Sequence, residues 1–305
     1  MKHLILTASI FAVSLASAQD ITSFLPMNNL LDINPSFAGS NGGFRLQANY
    51  VNIWPSLSGR NKGTMLAADM SVNKGKSGIA IYANRADYSQ GVQLNNNLGL
   101  GYSHRFSVSN GSIKIVPSLQ IGVVNTKVDV NALSFGSTLP PIGPNILSKS
   151  NLEVNTGVLV QIKEKFSIGY GAFHINTPDI GVQGPSKLGA RSVVHASYNF
   201  IKDNNSVINL FGAYTYQYGF DNVTVACSAI LKKHYYFVLS GRHQTFYNNG
   251  SLGFGWRSDL WSAMFAYNAG FSRGYTSYFG SYQLGCSLGM RGIKHIHGLS
   301  ALENW

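Results

Sequence analysis

The chain is poor in several things at once, and each shortage excludes a class of protein. Only 11% of its 305 residues are charged, against about 25% in ordinary globular domains. Acidic residues number just 12 and stand as singletons such as Asp69, Asp87, Asp129, Asp179 and Asp221. An omptin-like protease needs acidic pairs near its outer rim, and none is visible. There are two cysteines, Cys227 and Cys286, which rules out a disulfide-rich scaffold. Long apolar runs are missing too. The longest solid stretches, such as Tyr235 to Leu239, fall far short of the roughly 20 residues a membrane-spanning helix needs. A helical inner-membrane protein is thereby excluded.

What is abundant is unusual for a soluble protein. Tyrosine (16), phenylalanine (17) and glycine (33) are plentiful, and the mean hydropathy lies close to zero. A chain with one face toward lipid and the other toward water averages out in this way. The net charge is +11, but the basic residues are scattered without a cluster. They fit a basic lumen or attraction to anionic head groups, and no nucleic-acid partner is expected.

The N-terminus sets the compartment. Lys2 precedes an apolar stretch from Leu4 to Leu15, and Ala16-Ser17-Ala18 has the small-x-small pattern read by signal peptidase. Residues 1–18 are therefore expected to be a signal peptide cleaved before Gln19, with no lipobox cysteine after it. The apolar stretch is too short for an anchor.

Beyond it, short segments alternate strictly. Tyr282, Leu284, Cys286, Leu288 and Met290 are separated by Gln, Gly and Ser; Trp261, Ala263, Phe265, Tyr267 and Ala269 alternate with Ser262, Met264, Ala266, Asn268 and Gly270; Leu66, Ala68, Met70 and Val72 oppose Met65, Ala67, Asp69 and Ser71. Such a pattern gives each strand two unlike faces. Fourteen strands follow, near 43–55, 63–73, 77–87, 91–108, 112–127, 151–163, 166–176, 187–200, 206–218, 222–232, 235–247, 250–258, 260–271 and 279–291. Their connections sort by length: 129–150, 177–186 and 272–278 are long, whereas 73–76, 109–111, 163–165, 202–205, 232–233 and 258–259 are short. Outer-membrane barrels have long external loops and short periplasmic turns. A secreted β-sandwich also alternates, but its outer faces are rich in Lys, Glu and Thr.

The expected fold is thus all-β: a transmembrane antiparallel β-barrel of about 14 strands over 43–291, located in a bacterial outer membrane. It is preceded by an N-terminal periplasmic lead-in or lumen plug over 19–42 and followed by a periplasmic tail over 292–305. Both cysteines fall on the apolar parity and are expected to be unpaired thiols.

No catalytic, cofactor or metal site is expected. A lipase-like site would need Ser, His and an orienting group together; His104, beside Ser103 and Ser107, is read as an inward hydrogen-bonder in the lumen. His295 and His297 form a possible ligand pair with no Cys or carboxylate neighbours. Asp69 and Arg85 are expected to pair inside the lumen. Gly99-Leu100-Gly101 has no helix after it and is read as barrel packing. Tyr214, Tyr216, Tyr218, Tyr275 and Tyr278 are read as an aromatic girdle.

The lead-in carries a motif. Asn34-Pro35-Ser36-Phe37-Ala38-Gly39 resembles the NP-x-(Y/F)-AG signature near the start of the PorP/SprF family of Bacteroidetes. The family's following strand ends in a YR-x-QWP-like motif; Tyr50-Val51-Asn52-Ile53-Trp54-Pro55 keeps Tyr50, Trp54 and Pro55 but lacks the Arg and Gln. Gly78-Ile79-Ala80-Ile81 leading to Asp87, Ile113 to Val124 before a long loop, and Phe166 to Tyr170 running into His174-Ile175-Asn176-Thr177-Pro178 also resemble the family, in order. The resemblance implies an outer-membrane component of type IX secretion and gliding that docks and retains a large secreted cell-surface protein, an adhesin-type partner held through its type IX C-terminal signal domain. It also implies association with type IX periplasmic ring components. The motif residues Asn34, Pro35, Phe37, Ala38, Gly39, Tyr50, Trp54, Pro55, His174, Asn176 and Pro178 would then have structural or partner roles. The outer loop with Asp129, Pro140, Pro141 and Pro144 is the candidate partner-binding loop. The alternative reading is a pore or transporter for small or hydrophobic solutes, and the lipid bilayer is a partner in either case.

Overall fold

The computed structural model describes residues 20–57, 59–132, 146–163, 165–202, 205–244, 247–271 and 280–290. Alternation builds one closed antiparallel sheet. Its strands are β1 (Phe44–Ile53), β2 (Asn61–Val72), β3 (Ser77–Tyr88), β4 (Gln93–His104), β5 (Phe106–Val108), β6 (Ile113–Asp129), β7 (Ile146–Ile162), β8 (Phe166–Phe173), β9 (Arg191–Lys202), β10 (Val207–Gln217), β11 (Phe220–Leu231), β12 (Tyr235–Gln244), β13 (Tyr247–Arg257), β14 (Trp261–Gly270) and β15 (Ser281–Met290). β4 and β5 are one stave interrupted at Arg105, since both pair with β6, so the barrel has fourteen staves. Closure comes from β1 against β15, in register from Phe44↔Met290 to Asn52↔Tyr282. The expected strand count and order are those observed.

The two faces are inverted relative to a soluble protein. Leu66, Leu100, Ile121, Leu239, Phe254 and Leu288 are exposed on the outer wall, where hydrocarbon would meet them. Arg45, Gln47, Asn49, Gln120, Asn155, Asn209 and Gln283 are buried inside. Cys227 and Cys286 are free and exposed, as their parity predicts. Tyr214, Tyr216 and Tyr218 are exposed near one end of the barrel wall; Tyr275, Tyr278, His295 and His297 lie outside the described residues.

Two expectations are corrected. His104 does not face the lumen. It shares parity with the exposed Tyr102 and Phe106 and packs 4.7 Å from the Phe106 ring, while Ser103 takes the inward position at 2% exposure. Asp69 pairs with Arg45 at 2.9 Å, not with Arg85, which is exposed and pairs in register with Thr64 near the other end of β2. Strand direction decides this: Asp69 and Arg85 sit at opposite ends of their hairpin.

The interior is filled by the segment from Asp20 to Gly42, which carries three single-turn helices (Pro26–Asn28, Leu30–Ile33 and Pro35–Phe37). Leu25, Met27, Leu30 and Phe37 are fully buried, and they pack in one cluster with inward Val116, Leu159, Phe211, Tyr236 and Val238. Each such side chain contributes about 1.5–3 kcal/mol of burial.

Candidate functional site

The segment runs from one end of the barrel to the other, and polar groups hold it at both. At the end with the long connections, the Asp20 backbone N–H donates to Gln217 Oε1 at 3.1 Å. The Asp20 carboxylate lies 2.9 Å from His174 Nε2 and 3.0 Å from Arg191 Nε. Arg191 also reaches Asp32 at 2.8 Å, and Glu153 lies 3.2 Å from His174 Nδ1. Arg242 donates to Thr22 Oγ1 and to the Ser23 carbonyl, while Gln283 Oε1 accepts from Ser23 Oγ and Leu25 N. Burial alone would lower the His174 pKa, but Asp20 and Glu153 flank it and push it up to about 9. It is therefore an imidazolium clamped between two carboxylates.

At the short-turn end the Asn34 motif does the holding. Asn34 is fully buried. Its Oδ1 accepts from Ser36 N at 2.9 Å and so starts the Pro35–Phe37 turn, with Pro35 at the first helical position. Its Nδ2 donates to the Val158 carbonyl at 3.0 Å and lies 3.1 Å from His195 Nε2. The Phe37 ring packs against His195, tilted by 35° with the centroids 5.5 Å apart. The Ala38 carbonyl accepts from Ser103 Oγ at 2.8 Å, and Gly39 N donates to Asp69 Oδ2 at 2.8 Å. Gly39 has φ +67°, and a Cβ there would stand 2.6 Å from Gly78 Cα, so only glycine fits.

The other motif residues are dispersed around the long-loop end. Tyr50 is on the outer wall, its ring 6.2 Å from Tyr282. Trp54 and Pro55 form the turn after β1, with Leu57 N donating to Trp54 O. Asn176 covers the side of β7 that β8 leaves unpaired: its Oδ1 accepts from Val154 N at 3.1 Å and its Nδ2 donates to Leu152 O at 2.7 Å. Its amide thus stands in for a strand residue. Pro178 O accepts from Leu188 N at 2.8 Å. Asp179 is held low by Lys149 and by the N–H groups of Ser186 and Gly181. Asp129 ends β6, its N–H on Val92 O at 2.9 Å; Pro140, Pro141 and Pro144 lie outside the described residues.

Above the segment is an open vestibule of about 440 Å³, lined among others by Phe24, Trp54, Arg191, Asp221, Arg242 and Asn268. A smaller pocket of about 60 Å³ lies beside Asp20, Tyr82 and Glu153. Among the described residues, no group of three or more His, Cys, Asp or Glu is placed to hold a metal ion. Sequence reasoning missed the roles of Asp20, Asp32, Glu153, Arg191, Arg242 and Gln283. Inward parity was the available signal for the last four: each sits on the lumen face of its strand.

A model of the type IX secretion system membrane protein PorP/SprF matches residues 16–287. The chain belongs to the PorP/SprF family. No curated protein matches it in sequence. This PorP/SprF barrel is similar in fold to the CymD monoaromatic hydrocarbon channel, with TM-score 0.58 at 11% identity over 87% of this chain and 93% of that one. It is similar also to a deletion mutant of the TodX monoaromatic hydrocarbon channel, with TM-score 0.57 at 10% identity over 92% and 98% of the two chains. A Pseudomonas aeruginosa FadL homologue gives TM-score 0.50 at 9% identity over 88% and 98%. At such identities the likeness concerns fold alone. Family and fold together make this PorP/SprF protein an outer-membrane β-barrel component of type IX secretion.

Proposed function

We propose that this barrel docks and retains a large secreted cell-surface protein, binding it at the long-loop end through the vestibule and the β6–β7 hairpin. The observation that carries this reading is the filled lumen. With Leu25, Met27, Leu30 and Phe37 packed across it, the barrel offers an outward-facing surface and not a through path. The hairpin supports the connection 130–145, and its tip rises beyond the lipid-facing band, because outward Val123 and Leu152 give way to Asn125, Lys127, Ser148 and Ser150. On this reading residues 1–18 are the cleaved signal and 19–42 the plug.

The test uses cells that export a fluorescent protein fused to a type IX C-terminal signal domain. Deleting 133–145 should release the fusion to the medium while leaving the barrel folded. Retention of the fusion by that deletion variant would count against docking. Flux of small solutes through liposomes carrying the intact protein would favour the channel reading. The vestibule sets Arg242 and Asp221 beside Phe24, Ile53 and Trp54, so it offers a partner charged as well as apolar contacts.

A further inference from the structure

β6 and β7 each run for 17 residues, while β8 has only 8. β7 pairs with β8 from Thr156 to Ile162 and no further. Above that, Asn176 and the Ile175 N–H pair with Leu152 and Val154. Because both the N–H and the C=O of Val154 point away from β6, strand alternation points those of Ser150, Ser148 and Ile146 the same way. Among the described residues these groups have no partner. The opposite flank of the hairpin is satisfied, since β6 pairs with β4 up to Val128.

Beside this open edge the outer face turns polar, save for Ile146. On its outer face Asn125 Nδ2 donates to Ser148 Oγ at 3.0 Å and Ser150 Oγ at 2.8 Å. Natural edges are blunted by lysine, proline, a bulge or a cover. Here Lys149 turns inward onto Asp179 at 2.6 Å, and the outer face carries only Ile146, Ser148 and Ser150. The Asn176 cover stops one strand residue pair below them.

We propose that the β7 edge over Ile146–Ser150 is a strand-addition site for an extended segment of the secreted partner. This rests on the docking reading above and supplies its mode: main-chain hydrogen bonds for affinity, with the small serines leaving room for the incoming side chains. Lys127 is exposed on β6, in register with Ser148 and one strand in from the edge; its long side chain can reach across that small serine, so the fitting strand carries a carboxylate near that position.

Ser148→Pro combined with Ser150→Pro deletes two edge-facing N–H groups but none that faces β6, a substitution that edge strands tolerate. The same cells and fusion serve as the assay, with retention normalised to the barrel that runs as folded in unheated gels. The proline pair should lower retention by about tenfold, whereas Ser148→Ala with Ser150→Ala, which removes only the hydroxyls, should leave it unchanged. Full retention by the proline pair, with release by the 133–145 deletion, overturns strand addition and leaves docking standing. Full retention by both removes docking itself. A dimer of the purified protein that the proline pair dissolves assigns the edge to a second copy and overturns the partner assignment.

Discussion

Arg45 and Asp69 are 1% and 0% exposed at the side chain, and Asp69 also accepts the Gly39 N–H. Removing one member of a buried pair strands the other. Asp69→Ala should therefore cost about 3–5 kcal/mol, while Arg45→Met with Asp69→Ala should recover much of it. Urea unfolding of the barrel in vesicles, followed by tryptophan fluorescence, measures both. His174 answers to pH in a defined direction. Its folded pKa of about 9 lies above the ordinary 6.5, so its contribution is complete below about pH 6.5 and is lost as pH rises through about 9. The melting temperature in detergent should fall between pH 7 and 10, and His174→Gln should flatten that slope. An unchanged slope in the variant assigns the alkaline loss to other groups.

At the scale of the element, the informative strand is the short one. β8 ends at Phe173, and the backbone of β7 continues upward without it. Asn176 fills the gap with a side chain. Asn176→Ala should remove two hydrogen bonds, worth about 1–3 kcal/mol together, and speed amide exchange at Val154 with little effect on global unfolding. Exchange at Val154 as slow as in the wild type would mean that Ile175 alone holds the edge. The expected segment 166–176 was three residues too long, and the reason lies here: an asparagine side chain reproduces the hydrogen bonds of a strand residue without its backbone geometry. β7 departs the other way: it begins at Ile146, five residues before the expected 151 and inside the expected connection 129–150, because it pairs with β6 as far as Asp129. Elsewhere alternation located the strands to within about four residues, because a barrel stave must keep unlike faces from end to end.

The whole molecule behaves as a barrel with its core inserted. The apolar cluster that a soluble protein assembles between layers forms here between the inward wall and residues 25–38. A variant lacking residues 20–33 should keep its closed sheet, since closure rests on β1 and β15. It should conduct ions in planar bilayers where the intact chain is silent. Silence of the deletion variant would mean that inward side chains alone fill the lumen.

The sequence by itself determined the staves, their order, the apolar parity of their outer faces (though not the outward side of His104 or Arg85) and the family, because each of these is written in local alternation or in contiguous motifs. It also placed Asn34 to Gly39 together, though not what they touch. Only the tertiary structure decided that Asp20 meets His174 and Arg191 across more than 150 positions, that Asp69 chooses Arg45 over Arg85, and that β7 outruns β8. Those outcomes depend on register around the closed sheet and on the path of a segment through its lumen. Neither leaves a periodic trace in the chain.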